Sequence, residues 1–169
     1  LKENLTVPLG LNNTVSEGKN EIVIPKLAQA YTYQETTGQW LQNPFIDLSL
    51  SRRIFSTVSD LNRWAQVMDN PGWLSATSLR LIKQNHQAGI SKKFSYGYGW
   101  VVFDKENKSE IGDLGIDKPY IIHGGSTDGY KSMLININSG EHVISFVSNV
   151  GARTNEMQLA QKIVNILIK

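Results

Sequence analysis

The run Tyr120-Ile121-Ile122-His123-Gly124-Gly125-Ser126-Thr127-Asp128-Gly129-Tyr130-Lys131-Ser132-Met133-Leu134-Ile135-Asn136-Ile137 decides the architecture. Residues 120–123 make a short apolar run ending in His123, and residues 130–137 are β-rich. A further β-rich segment, 142–147, follows Asn138-Ser139-Gly140-Glu141, which reads as a hairpin loop. Upstream, residues 98–103 are aromatic and β-branched, the composition of another strand. Strands this short and this close in sequence make an antiparallel meander.

Helices bracket the meander. Thr57-Val58-Ser59-Asp60 has capping-box spacing, and Leu61, Trp64, Ala65 and Met68 recur at i, i+3, i+4 and i+7, on one helical face. Asn70-Pro71-Gly72 stops that helix; a second is expected from about Ser75, with Leu79 and Ile82 turned inward. A third starts after Asn155, with Gln158 at capping-box spacing and Leu159, Ile163, Ile166 and Leu167 as its apolar face. Residues 1–50 read as mostly irregular, broken by Pro8, Gly10, Asn12-Asn13, Gly18, Pro25, Gly38 and Pro44, except that 21–33 suits a short extended segment. The expectation is an α+β fold in one domain over residues 1–169, an antiparallel sheet with covering helices. Trp64, Trp73 and Trp100 are expected to pack the helices on the sheet, and Asp60 reads simply as a helix-start residue.

Composition narrows the function. At 169 residues and 40% hydrophobic, the chain is long enough to bury a core. Seventeen Lys+Arg against 15 Asp+Glu give a net charge of +2, too small and dispersed for a nucleic-acid or polybasic membrane surface; small or neutral partners remain open. The absence of cysteine excludes disulfides, thiolate metal sites and a cysteine nucleophile. No apolar stretch approaches the roughly 18 residues of a membrane span; residues 163–168 come nearest and are interrupted by Asn165. The opening Leu1-Lys2-Glu3-Asn4 has neither Met nor an apolar leader, and reads as the start of a mature or truncated product.

Among three histidines, His86 and His142 sit in polar surroundings and read as surface residues. His123 differs, because Gly124 and Gly125 follow it directly. Two glycines after a strand let a ligand approach the backbone and leave N–H groups free to hold an anion or oxyanion. The other reading is a Gly-rich turn whose histidine merely caps the strand, and the residues alone leave both open. His123, Ser126 and Asp128 put all three triad residue types within six positions, but triad members are assembled by the fold and not by proximity in sequence. The Gly-x-Ser-x-Gly elbow fails at Asp128. There is no His-x-x-x-His, no acidic calcium loop and no phosphate-binding loop, so no metal and no cofactor are expected.

Four segments stand in order: Val7-Pro8-Leu9-Gly10-Leu11-Asn12-Asn13-Thr14, Phe55-Ser56-Thr57-Val58-Ser59-Asp60-Leu61, Tyr96-Gly97-Tyr98-Gly99-Trp100 and His123-Gly124-Gly125-Ser126-Thr127-Asp128-Gly129-Tyr130. Together they resemble the serine β-lactamase and penicillin-binding-protein-like hydrolases, in the branch of class C β-lactamases, D-aminopeptidases and related esterases. Asn149 falls where that family often carries an asparagine after its last strand. The resemblance implies acyl transfer through a serine ester on a small-molecule or peptide substrate, a β-lactam, peptide or ester, using a Ser-x-x-Lys motif, a Tyr-x-Asn motif and a Lys/His-x-Gly strand around one cleft. By position it makes His123 the cationic or hydrogen-bonding motif residue and Ser126 the oxyanion N–H donor. It also places Gly124 and Gly125 at the substrate-binding strand edge, with Tyr31 on a loop at the rim.

The other two motifs are not found. Ser16-Glu17-Gly18-Lys19 satisfies Ser-x-x-Lys literally, yet it lies in a polar turn on the wrong side of the family order and reads as a chance match. No tyrosine opens a Tyr-x-Asn. The resemblance therefore implies a partial β-lactamase/transpeptidase-like fold lacking the N-terminal nucleophile region, inactive alone, from a periplasmic or secreted parent. The partner it lacks is the parent's own N-terminal segment. Loss of the strands that segment would supply leaves an unpaired sheet edge, which favours homo-oligomers. The alternative is a non-catalytic binding or scaffolding domain derived from the same fold.

Overall fold

The computed structural model describes residues 1–17, 23–43, 53–70, 72–91, 93–127 and 129–168. They fall into two compact units, the first comprising residues 1–64, 125–132 and 146–154, the second residues 65–124, 133–145 and 155–169.

In the first unit, β1 (Val15–Glu17) pairs antiparallel with β4 (Arg53–Phe55), and β2 (Tyr31–Gln34) with β3 (Gln39–Gln42). The β2–β3 hairpin lies in a stretch whose sequence reads as irregular. Its turn closes where Gly38, at φ +67°, donates its N–H to the Gln34 carbonyl at 2.9 Å. Across the pair, Tyr33 faces Trp40 with ring centroids 5.1 Å apart, and the Arg153 guanidinium lies 3.8 Å above the Tyr33 ring. Of the expected extended segment 21–33, residues 21–22 lie outside the described residues and only Tyr31–Tyr33 belongs to a strand.

α1 (Val58–Val67) starts as expected, with the Asp60 N–H donating to Thr57 Oγ1 at 3.3 Å. Asp60 does more than begin a helix. It is buried, and its Oδ2 accepts from the Asn13 N–H and from Thr14 Oγ1, each at 2.8 Å, which ties the 13–14 loop to the helix.

The second unit holds the end of α1, α2 (Ala76–Lys83) and α3 (Glu156–Leu167). α2 is capped by Ser75, whose side chain accepts from the Ser78 N–H, and Leu79 is buried. The sheet order is β5 (Val101–Phe103), β6 (Tyr120–Thr127), β7 (Tyr130–Ile137), β8 (His142–Ser148). Ile122, Ile135, Ile137, Ala160 and Val164 are fully or almost fully buried, and each large side chain among them contributes roughly 1.5–3 kcal/mol.

Three expectations need correction. The strand expected at 98–103 begins only at Val101, because the Gly97 N–H donates to the Trp100 carbonyl at 2.8 Å and closes a turn through Gly99 at φ +81°. Only glycine fits at 97, since a Cβ there would lie 2.1 Å from the Ile82 carbonyl oxygen. The Gly-rich segment is not a turn: β6 runs on through Gly124 and Gly125 to Thr127, and Gly129, at φ +86°, makes the turn instead. In α3, Asn155 caps the helix as a donor-accepting side chain, but Ala160 and Val164 are the buried stripe, while Leu159, Ile166 and Leu167 are exposed. Of the tryptophans expected to pack the helices on the sheet, Trp100 is buried and Trp64 and Trp73 are half-buried.

Candidate active site

β5 pairs with β6 only through Val101↔Ile122, Val102↔Ile121 and Phe103↔Tyr120. Beyond Ile122, no described strand covers that edge of β6, and His123, Gly124, Gly125, Ser126 and Thr127 are all exposed. An edge of this kind presents backbone N–H and C=O groups to an extended ligand.

Within the second unit, His123 Nε2 lies 2.9 Å from Tyr96 Oη, the two rings meeting edge-on at 67°. Tyr96 is held at both backbone ends: its N–H donates to Asn85 Oδ1 at 3.1 Å, and its carbonyl accepts from the His86 N–H at 2.8 Å. Asn85 Nδ2 donates to Asn107 Oδ1 at 2.8 Å, and Asn107 Nδ2 reaches both carboxylate oxygens of Asp104, at 3.0 and 2.9 Å. Partial burial pushes the Asp104 carboxyl up, but the hydrogen bonds from Asn107 and Glu106 and the charge of Lys108 outweigh it and hold the group below the usual carboxylate range. Beside this chain opens a cavity of about 520 Å³, walled by apolar side chains such as Phe94, Ile111, Met133 and Met157, with Tyr96 and His123 bringing polar groups to it. Its size and lining suit a small ligand.

The remaining strand residues lie in the first unit. A Cβ at Gly125 would stand 2.7 Å from Ser132 Oγ, so glycine gives the strand its close fit there. Tyr31 is half-buried, and its N–H donates to the Asn149 carbonyl at 2.9 Å, while Asn149 Nδ2 donates to the Gln29 carbonyl at 2.7 Å. Tyr130 Oη donates to the Ala28 carbonyl at 2.5 Å, and burial raises the Tyr130 phenol above its ordinary range. Asn149 and Tyr130 thus brace the segment that carries Tyr31. Sequence reasoning gave Asn149 only a family position and Tyr130 no task, because each acts on a segment about a hundred residues away.

Thus β6 carries His123, Gly124, Gly125 and Ser126 consecutively, with His123 and Gly124 beside the cavity of the second unit, and Tyr31 in the first. Asp128 lies outside the described residues. His86 and His142 are half-buried and not simple surface residues: the His86 ring stacks on Tyr98 at 4.2 Å and its Nε2 sits 2.8 Å from the Leu81 carbonyl oxygen. Ser16 stands on β1 opposite Ile54 and does not open a helix; Gly18 and Lys19 lie outside the described residues. Among the described residues there is no cluster of three metal-ligating side chains, and no helix is long and apolar enough to cross a membrane.

An antiparallel sheet with helices, whose strand-borne His-Gly-Gly faces an open edge, is the framework of a serine-hydrolase fold. The β-lactamase family model matches residues 1–166, and the chain belongs to the β-lactamase family. It is similar in structure to a D-stereospecific amidohydrolase from Streptomyces sp. (TM-score 0.74, 17% identity, 96% of this chain, 46% of that one). It is similar also to the octameric penicillin-binding protein homologue from Pyrococcus abyssi (0.76, 18%, 99% and 37%). A third is the D-amino acid amidase from Ochrobactrum anthropi SV3 complexed with L-phenylalanine amide (0.71, 16%, 98% and 49%). The chain spans at most about half the length of these three structures. No curated protein matches it in sequence.

Proposed function

We propose that this chain supplies the strand-edge wall of a serine acyl-transfer site acting on amide, peptide, β-lactam or ester substrates. The open edge of β6 from His123 onward carries the reading. A substrate backbone adds to that edge as an extra strand, and the missing Cβ atoms of Gly124 and Gly125 let it come close. His123 donates to the substrate's carboxylate or amide oxygen. The Ser126 N–H donates to the oxyanion that forms when a serine attacks the scissile carbonyl, stabilising that charge more than the ground state. The attacking serine and its lysine come from outside these residues, which is consistent with Ser16 standing on a strand. Without them, the chain binds and does not turn over.

Titration of the ¹⁵N-labelled chain with an N-acyl-D-amino acid, followed by amide chemical shifts, tests the binding half. The expected shifts cluster at residues 123–127 and vanish in His123→Ala; shifts that persist in that variant count against the reading. Nitrocefin and p-nitrophenyl ester assays are expected to show no turnover. Turnover abolished by Ser16→Ala would instead place the nucleophile on β1.

A further inference from the structure

Resting on that reading of β6, we propose that Tyr96 is a positioning residue that fixes His123 as a hydrogen-bond donor toward the ligand, by occupying Nε2 and holding the neutral imidazole's proton on Nδ1. The contact is 2.9 Å between Tyr96 Oη and His123 Nε2. Of the two ways to arrange it, the phenol O–H donating to the imidazole nitrogen is the stronger, because a phenol is the better acid and an imidazole nitrogen the better base. That arrangement leaves the proton on Nδ1, for which the described residues provide no hydrogen-bond partner. When the imidazole is protonated, Nε2–H donates to Tyr96 Oη instead, and Nδ1 keeps its proton. In either state His123 therefore offers a donor to an incoming carboxylate or carbonyl oxygen. An imidazole without this partner favours the Nε2–H tautomer in water, and its bare Nδ1 would repel the same oxygen.

The geometry beneath the contact is that of a built support. The Asn85 Oδ1 and His86 N–H bonds fix the Tyr96 backbone, and with it the point from which the side chain reaches His123. Asn85 is held in turn by Asn107, and Asn107 by both oxygens of Asp104. Asn85 Oδ1 also accepts from the Gln87 N–H at 2.9 Å, so this one amide fixes the approach to Tyr96 from two directions. The chain of amides ends in a carboxylate that Asn107 grips through both oxygens, and every link lies in the same compact unit as His123. Supports of this kind orient metal-bound imidazoles elsewhere, where their removal typically costs about 10- to 100-fold in metal affinity or activity.

The test uses long-range ¹H–¹⁵N correlation spectra of the 169-residue chain without ligand, at about pH 9, where an ordinary imidazole is neutral. Expected for the native chain is a pyrrole-like Nδ1 and a pyridine-like Nε2, with Tyr96→Phe moving the pair to the Nε2–H tautomer. A native Nε2–H tautomer, or a tautomer unchanged by Tyr96→Phe, overturns the proposal. If Tyr96→Phe does not fold, biosynthetic 3-fluorotyrosine replaces it, making a stronger donor of the same shape. Nε2 is then expected to shift toward its protonated position, and a resonance that stays put overturns the assignment. The binding reading fails separately: ligand shifts that persist in His123→Ala dismiss it while leaving the tautomer measurement intact. If both stand, Tyr96→Phe is expected to weaken binding of the N-acyl-D-amino acid about tenfold.

Discussion

Asn136 sits in the middle of an apolar strand and is only 2% exposed. Its Nδ2 donates to the Ala65 carbonyl at 2.9 Å and to Asp69 Oδ2 at 2.5 Å, and its Oδ1 accepts from the Gly140 N–H at 2.9 Å. One side chain thus ties the end of α1 to the β7–β8 turn. In Asn136→Ala the Gly140 N–H loses its partner and a void opens, so a loss of about 2–3 kcal/mol is expected in urea unfolding. Nothing in the sequence distinguished this asparagine from a polar interruption of a strand, because its partners are brought to it only by folding. Gly125 is a second case. Its place after His123 was legible, but its reason, the Ser132 Oγ 2.7 Å from where a Cβ would stand, was not. Gly125→Ala is expected to destabilise the chain, and Ser132→Ala to restore most of the loss by removing that oxygen. A double-mutant cycle with coupling near zero would mean the strand makes room by itself.

At the scale of elements, the helices and late strands were legible because their periodicity and caps are local. Thr57, Ser75 and Asn155 each accept at the helix starts their sequences mark. The start of β5 and the end of β6 were not. Gly97 is excluded from carrying a side chain by a carbonyl on α2, and the Gly124-Gly125 pair stays extended although its composition suits a turn. The segment between α2 and β5 depends on a charge, since Asp104 grips Asn107, which holds Asn85. With its folded pKa lowered from 3.8, Asp104 contributes stability above its unfolded pKa and loses it as pH falls through the folded value. Between about pH 5 and pH 3, the native urea midpoint is therefore expected to fall more steeply than that of Asp104→Asn, and the Tyr96 amide to shift over the same range. Parallel midpoint curves for the two proteins would show that other carboxylates govern acid unfolding.

For the molecule as a whole, the consequential surfaces are apolar ones left facing solvent. β8 ends the strand order among the described residues, and its sequence His142-Val143-Ile144-Ser145-Phe146-Val147-Ser148 contains neither the lysines nor the proline with which natural edges discourage pairing. Val147 on it is 50% exposed. On α3, Leu159 and Ile166 stand seven residues apart on the solvent side, with Ile166 72% exposed. Either surface favours self-association, and the two make different demands. Antiparallel pairing of two β8 edges about a two-fold axis at the middle of the strand sets Val147 of one copy opposite Val143 of the other, so a charge placed at Val147 breaks that apolar pair at both ends of the seam. Sedimentation of the chain is expected to show concentration-dependent dimers, with Val147→Lys shifting them to monomers and Ile166→Lys changing little. Loss of association in Ile166→Lys alone would assign the contact to the helix stripe. A native chain that stays monomeric at high concentration would count against both surfaces as contacts between copies.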